Sequence, residues 1–256
     1  MLEACALVKQ FGSVRAVDQV SFSVNPGDVL GYLGPNGSGK TTTVNMIVGL
    51  TAPTRGRVEI DGADIWDDVV AYRSRVGYVP EEPHLYPYLT GREYLELVGR
   101  LRGMSEREVG RKATSLLGLF ALAPDSYAPL SAYSKGMRQK VLVCAALLHN
   151  PDLLVFDEPM SGLDAASAVT FRHLIRALAR AGKMILYSSH ELDAVERVST
   201  SVIVLHQGRA VAHDSVERLR ALMKVESLEE IFSELVFSED PEAVAGRIVD
   251  AMVTRG

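Results

Sequence analysis

The chain has 256 residues, 47% of them hydrophobic and 23% charged, with a formal net charge of −5. That length suits one large domain or a domain with a subdomain. The acidic balance excludes a general basic field for nucleic acid, no apolar run is long enough to span a bilayer, and two cysteines, Cys5 and Cys144, make no disulfide framework.

In chain order, the first ten residues have no basic segment ahead of a long apolar core, so no signal peptide is expected. Short β-type segments follow at 4–8, 20–24, 29–33 and 57–60, with the turn signal Asn25-Pro26-Gly27-Asp28 before the third. Directly after residue 33 comes Gly34-Pro35-Asn36-Gly37-Ser38-Gly39-Lys40-Thr41, which fits G-x-x-x-x-G-K-[ST]. Its glycines let the backbone fold tightly, so that N–H groups point inward at phosphate oxygens. Lys40 is placed as a point charge against β- and γ-phosphates, and the Thr41 hydroxyl is placed to ligate Mg²⁺. A buried strand before the loop and a helix over 42–48 after it are the context this motif requires.

A strand at 75–79 ends at Pro80. From 91 to 149 the chain reads helical, with Tyr94, Leu95, Leu97, Val98 and Leu101 at helical spacing. Cys144 lies in an apolar part of it and reads as a small core residue, which suits the reducing cytosol. Apolar strands return at 153–156, 184–187 and 202–205, with helices at 165–181 and 192–198 between them. These are βαβ units and imply a parallel sheet, so a helical insertion interrupts an α/β core. From about residue 215 the chain reads helical to its end, and no internal repeat or low-complexity linker is found.

The strand at 153–156 ends in Asp157-Glu158-Pro159. In open α/β sheets ligands bind beyond the carboxyl ends of strands. Asp157 is therefore placed to hold Mg²⁺, and Glu158 to polarise a water for attack on a γ-phosphate. About twenty residues earlier, Tyr133-Ser134-Lys135-Gly136-Met137 precedes a helix. Ser134 reads as its N-cap, and Gly136 permits a phosphate to approach the helix N-terminus.

With these motifs the chain resembles the ATP-binding cassette (ABC) ATPases, over about residues 2–223. Their signature, L-S-G-G-Q, is kept here at its serine and second glycine only. The resemblance implies a P-loop NTPase (RecA-like) α/β core with an antiparallel β-subdomain and an inserted α-helical subdomain. It divides the chain into a nucleotide-binding domain at 1–223, with the helical subdomain at 82–150, and a C-terminal helical extension at 224–256. It implies a head-to-tail dimer with two ATPs sandwiched between one copy's phosphate loop and the other's signature. The nucleotide-binding set is then Phe11, Gly34, Pro35, Asn36, Gly37, Ser38, Gly39, Lys40, Thr41 and Thr42, with Ser134 and Gly136 serving the second copy's ATP. Ser188-Ser189-His190-Glu191 makes His190 the switch histidine that contacts the γ-phosphate, beside Glu158 and Lys40 as the catalytic set. His206 and His213, on edge-like strands, read as structural or solvated. Ser161-Gly162-Leu163-Asp164 resembles the D-loop. Phe11 stands at the aromatic that stacks on adenine, with packing into the β-subdomain as its alternative. Glu81 stands where most relatives have the Q-loop glutamine, and joins Thr41 and Asp157 as the Mg²⁺ set.

Gly77 to Glu82, Leu85 to Thr90 and Tyr133 to Met137 resemble bacterial exporter cassettes that pair with a separately encoded permease, and Ser227 to Phe232 resembles the segment that ends such subunits. The leading expectation is an ATP-hydrolysing subunit at the inner face of the cell membrane, cytoplasmic and attached through the permease, driving efflux. The alternative is a soluble ABC ATPase that remodels a protein or nucleic-acid complex. Direct nucleic-acid binding is not expected. Pro83 to Leu89 is rich in apolar and aromatic residues for a connecting loop, which marks either a partner site with Tyr86 and Tyr88 as anchors or burial against the helical subdomain.

Overall fold

In the computed structural model, which describes residues 1–82, 84–190, 192–225, 227–236 and 247, the chain builds two sheets. The smaller is antiparallel and comprises β1 (Leu2–Phe11), β2 (Val14–Val24), β4 (Arg55–Ile60) and β5 (Ala63–Asp64), in the order β2-β1-β4-β5. The larger comprises β3 (Val29–Leu33), β6 (Val76–Val79), β7 (Leu153–Asp157), β8 (Met184–Ser188), β9 (Ser201–His206) and β10 (Arg209–Asp214). Its order is β10-β9-β3-β8-β7-β6, parallel from β9 to β6 and with β10 antiparallel at the edge.

Period-2 alternation explains why the parallel strands are apolar throughout. On β3, Leu30 and Tyr32 face the smaller sheet and α1 (Lys40–Ile47), whereas Val29 and Leu33 face the opposite layer. On β7, Leu153 and Val155 divide from Leu154 and Phe156 in the same way. The opposite layer contains α6 (Ala165–Arg180), α7 (Leu192–Val198), α8 (Val216–Met223) and α9 (Leu228–Val236). The inserted helices α3 (Gly91–Leu101), α4 (Glu106–Leu119) and α5 (Lys135–Leu147) carry a third core around Leu95, Val109, Leu117, Val141 and the fully buried Cys144. Side-chain caps fix where these helices begin. Thr90 and Glu93 form a reciprocal capping box on α3, and Ser105, Ser134, Asp164 and Ser215 each accept an N–H at α4, α5, α6 and α8.

Four elements exceed the sequence expectation. β1 and β2 run well beyond 4–8 and 20–24, because their ends pair through polar residues such as Gln10 with Arg15 around the turn at Gly12. The short α2 (Val69–Ser74), capped by Asp68, was not foreseen. α1 starts at Lys40 and not at residue 42, since Gly39 takes a left-handed conformation and the helix follows at once. Apart from Arg247, which is helical, the expected helix beyond residue 236 lies outside the described residues, as do Pro83, Glu191 and Glu226.

Candidate functional site

β8 lies between β3 and β7, so the chain segments leaving these three parallel strands emerge side by side. They surround a cavity of about 660 Å³. Its wall includes Phe11, Gly34, Pro35, Asn36, Gly37, Gly39, Lys40, Thr41, Thr42, Glu81, Asp157, Glu158 and His190. Thirteen residues scattered over nearly 180 positions of sequence thus meet in one place.

The loop after β3 is shaped for an anion. Gly39 has φ +103°, and a Cβ there would stand 2.4 Å from the Ala16 carbonyl oxygen, so a side chain is excluded twice over. Helix α1 begins without a side-chain cap and without an acidic residue in its first turn. Its N-terminal N–H groups and positive dipole end are left for a ligand. Lys40 Nζ donates to the carbonyls of Gly34 at 2.6 Å and Pro35 at 3.1 Å. Burial lowers its pKa, against the pull of Glu158, Asp157 and Glu81.

Asp157 is buried, and burial pushes its carboxyl up to about 6, with Glu81 and Glu158 adding to the effect and the Ser188 hydroxyl and Lys40 opposing it. A pKa raised in the folded state favours the neutral acid. Its contribution to stability is fully present below the unfolded value of 3.8 and is lost as pH rises towards 6. At neutral pH the buried charge then costs about 3 kcal/mol at most. Asp157→Asn should therefore stabilise the nucleotide-free, EDTA-treated chain at pH 7.5 by about 1–3 kcal/mol, with the gain shrinking towards pH 4. Urea denaturation at the two pH values checks this; a destabilised variant at pH 7.5 would contradict it.

Glu158 is held on several sides. Its φ of +48° is uncommon for a residue with a side chain and marks local strain. Its N–H donates to the Ser188 carbonyl at 2.9 Å, the Ser189 hydroxyl donates to Oε2 at 3.0 Å, and His190 Nδ1 lies 2.8 Å from Oε1. The carboxylate is 11% exposed and the imidazole 71% exposed. Glu158 is thus a fixed carboxyl group on the cavity wall, with an exposed histidine beside it.

Thr41, Asp157 and Glu81 bring only oxygen donors to the wall. Among the described residues no group of three or more His, Cys, Asp or Glu stands ready to hold a metal. That combination fits Mg²⁺, which uses one or two carboxylates together with substrate phosphates and water and not an all-protein cage.

Phe11 is 54% exposed on this wall, with Lys9 Nζ 5.2 Å from its ring centroid. It does not pack into the β-subdomain. Ser38 is buried under the loop, where its carbonyl accepts the Gly208 N–H at 3.0 Å. Ser134 and Gly136 lie away from this cavity, at the start of α5. Ser134 accepts the Met137 N–H at 3.1 Å, and a Cβ at Gly136 would stand 2.5 Å from the Gly162 carbonyl oxygen. Lys135 Nζ donates to Ser161 Oγ at 2.7 Å, and Asp164 caps α6. Tyr86 and Tyr88 are 63% and 91% exposed, so neither is buried against the helical subdomain. His206 and His213 lie on the edge pair β9 and β10, away from the cavity.

Four wall residues were not foreseen: Ala16, Ser189, Leu192 and Phe232. Ser189 could have been found as a hydroxyl at a strand end beside His190. Ala16 and Leu192 carry no chemical signal, and Phe232 arrives from a helix distant in sequence.

A family model described as ABC transporter matches residues 17–161. The chain is 38% identical over 220 residues to the ABC transporter ATP-binding protein NatA of Bacillus subtilis, covering 86% of this chain and 89% of NatA. It is 36% identical over 219 residues to the Nod factor export ATP-binding protein I of Ralstonia nicotianae, covering 86% of this chain and 68% of that protein. Its fold matches a dimeric post-hydrolysis structure of the ATP-binding cassette MJ0796 bound to ADP and Pi, with a TM-score of 0.78, 25% identity, and coverage of 84% of this chain and 99% of that one.

Proposed function

The chain belongs to the ABC transporter family, and from that premise we propose that it is the ATP-binding and ATP-hydrolysing subunit of a transporter, dimerising head-to-tail on ATP and driving efflux through a separate membrane permease. One observation carries the ATPase reading: Lys40, Asp157, Glu158 and His190 meet in a single cavity beyond three adjacent strands of a parallel sheet. Similarity to transport ATP-binding proteins supports this reading over that of a non-transport ATPase.

Phosphoryl transfer needs positioning and charge stabilisation more than covalent chemistry. In our reading the Gly34 to Thr42 backbone and Lys40 cradle the phosphates, and Phe11 stacks on adenine through its open face. Glu158, held by Ser189 and His190, orients and polarises the attacking water. His190 donates a hydrogen bond to a γ-phosphate oxygen. Thr41 and Asp157, with Glu81, would hold Mg²⁺, which neutralises charge across the β- and γ-phosphates when bound. Ser134 and Gly136 lie outside their own chain's cavity, which supports their service to a second copy's ATP. Residues 1–223, with the helical subdomain at 82–150, make the nucleotide-binding unit in this reading, and 224–256 the extension. The test is phosphate release by the purified subunit, alone and with its permease, in Mg²⁺ and in EDTA. No Mg²⁺-dependent turnover in either preparation would overturn the assignment.

Among the described residues no helix is long and apolar enough to cross a membrane. A permease would hold the subunit at the inner face, and the exposed pair Tyr86 and Tyr88, just beyond Glu81, is the anchor we assign to it. Exposed side chains contribute within about 0.5 kcal/mol to folding, whereas buried interface aromatics cost about 2 kcal/mol or more on truncation. Tyr86→Ala with Tyr88→Ala should leave basal ATPase and thermal stability intact. Co-purification with the permease should fall at least about tenfold. Undiminished co-purification would move the contact elsewhere.

A further inference from the structure

The helix α9 lies beyond the part of the chain that the family model matches. It is not a loose appendage. Leu228 and Ile231 are fully buried and Val236 nearly so, in the same core as Ala194, Val195 and Val198 of α7 and Val202 and Val204 of β9. Helix α7 begins two residues after His190, and its first residue, Leu192, lines the nucleotide cavity. Phe232, on α9, lines the same cavity. His190 in turn stands 2.8 Å from Glu158.

Helix α9 therefore packs on α7, α7 follows His190 in the chain by two positions, and His190 lies beside the proposed base. The imidazole is itself mostly exposed; its Nδ1 lies 2.8 Å from Glu158 Oε1, and α7 begins two positions further along the chain. What seats α7 seats the histidine. We propose that α9 forms a working wall of the nucleotide site, in which Phe232 is a positioning residue that holds Leu192 and the His190 loop where His190 meets Glu158 and the γ-phosphate. This rests on the ATPase reading and gives the C-terminal extension a part in the active site.

Displacing a catalytic group by about 1 Å can cost up to about a hundredfold in rate while the substrate still binds. In the full-length chain, Phe232→Ala should lower kcat about tenfold or more and leave KM for ATP within about twofold. Phe232→Leu, which keeps an apolar side chain of reach, should recover most of the rate. Leu235→Ala is the control, because Leu235 packs on the same core but does not line the cavity. It should cost thermal stability and leave kcat near wild type. Wild-type turnover in Phe232→Ala would overturn the proposal, and so would an equal loss of kcat in Leu235→Ala, which would reduce α9 to general packing. An inactive wild type would instead fail the ATPase reading itself, so the two failures are distinguishable.

Discussion

Glu158→Gln should bind ATP within about threefold of wild type and lose turnover by about a thousandfold, the middle of the range for a positioned general base. The substitution keeps the size of the side chain and an oxygen that can accept the Ser189 hydroxyl, so the wall of the cavity is preserved. What it removes is the negative charge beside His190 and the ability to take up a proton. Binding should hold or tighten. Glu158, Asp157 and Glu81 all act on Lys40 as negative charges, so one fewer carboxylate lessens repulsion of a triphosphate. Steady-state phosphate release and titration with a fluorescent ATP analogue measure the two quantities separately. Near-normal phosphate release would strip Glu158 of its role as base and turn attention to His190.

The sequence was most legible where chemistry and local structure coincide. The phosphate loop dictates its own backbone, since Gly39 and the uncapped start of α1 follow from residue types alone. The apolar strands β3, β7, β8 and β9 are buried on both faces, so an unbroken hydrophobic run marks each of them, and β6 was found from its run up to Pro80. Legibility failed where pairing partners supply the stabilisation. The polar ends of β1 and β2 are held by each other and not by their own side chains. It failed again where packing is long-range. Nothing in Ser227 to Phe232 says that Phe232 reaches the wall containing Phe11 and His190. Tyr86 and Tyr88 stood between two readings in the sequence, and only their exposure separates them. Glu158 is instructive in another way: its place just beyond a strand end was readable, but its left-handed backbone was not, since the bond from its N–H to the Ser188 carbonyl joins it to a strand distant in sequence.

The sharing of the site between two copies can be tested at Ser134 without disturbing the fold. Ser134 caps α5 by accepting the Met137 N–H. Aspartate caps a helix as well as serine does, so Ser134→Asp should keep α5 and leave thermal stability within about 2 °C of its parent. It also places a carboxylate where a second copy's triphosphate would sit, at a helix end otherwise suited to anions. Like charges brought together at an interface cost several kcal/mol. In the slow-turnover Glu158→Gln background, Mg-ATP should produce a dimer in sedimentation. Adding Ser134→Asp should weaken that dimer at least about a hundredfold, while ATP binding by the monomer stays unchanged, because Ser134 lies outside its own chain's cavity. Ser134→Asn caps equally well without the charge, and should dimerise as its parent does. A dimer indifferent to Ser134→Asp would remove Ser134 from the interface. Loss of ATP binding by the monomer would place it instead at its own chain's nucleotide.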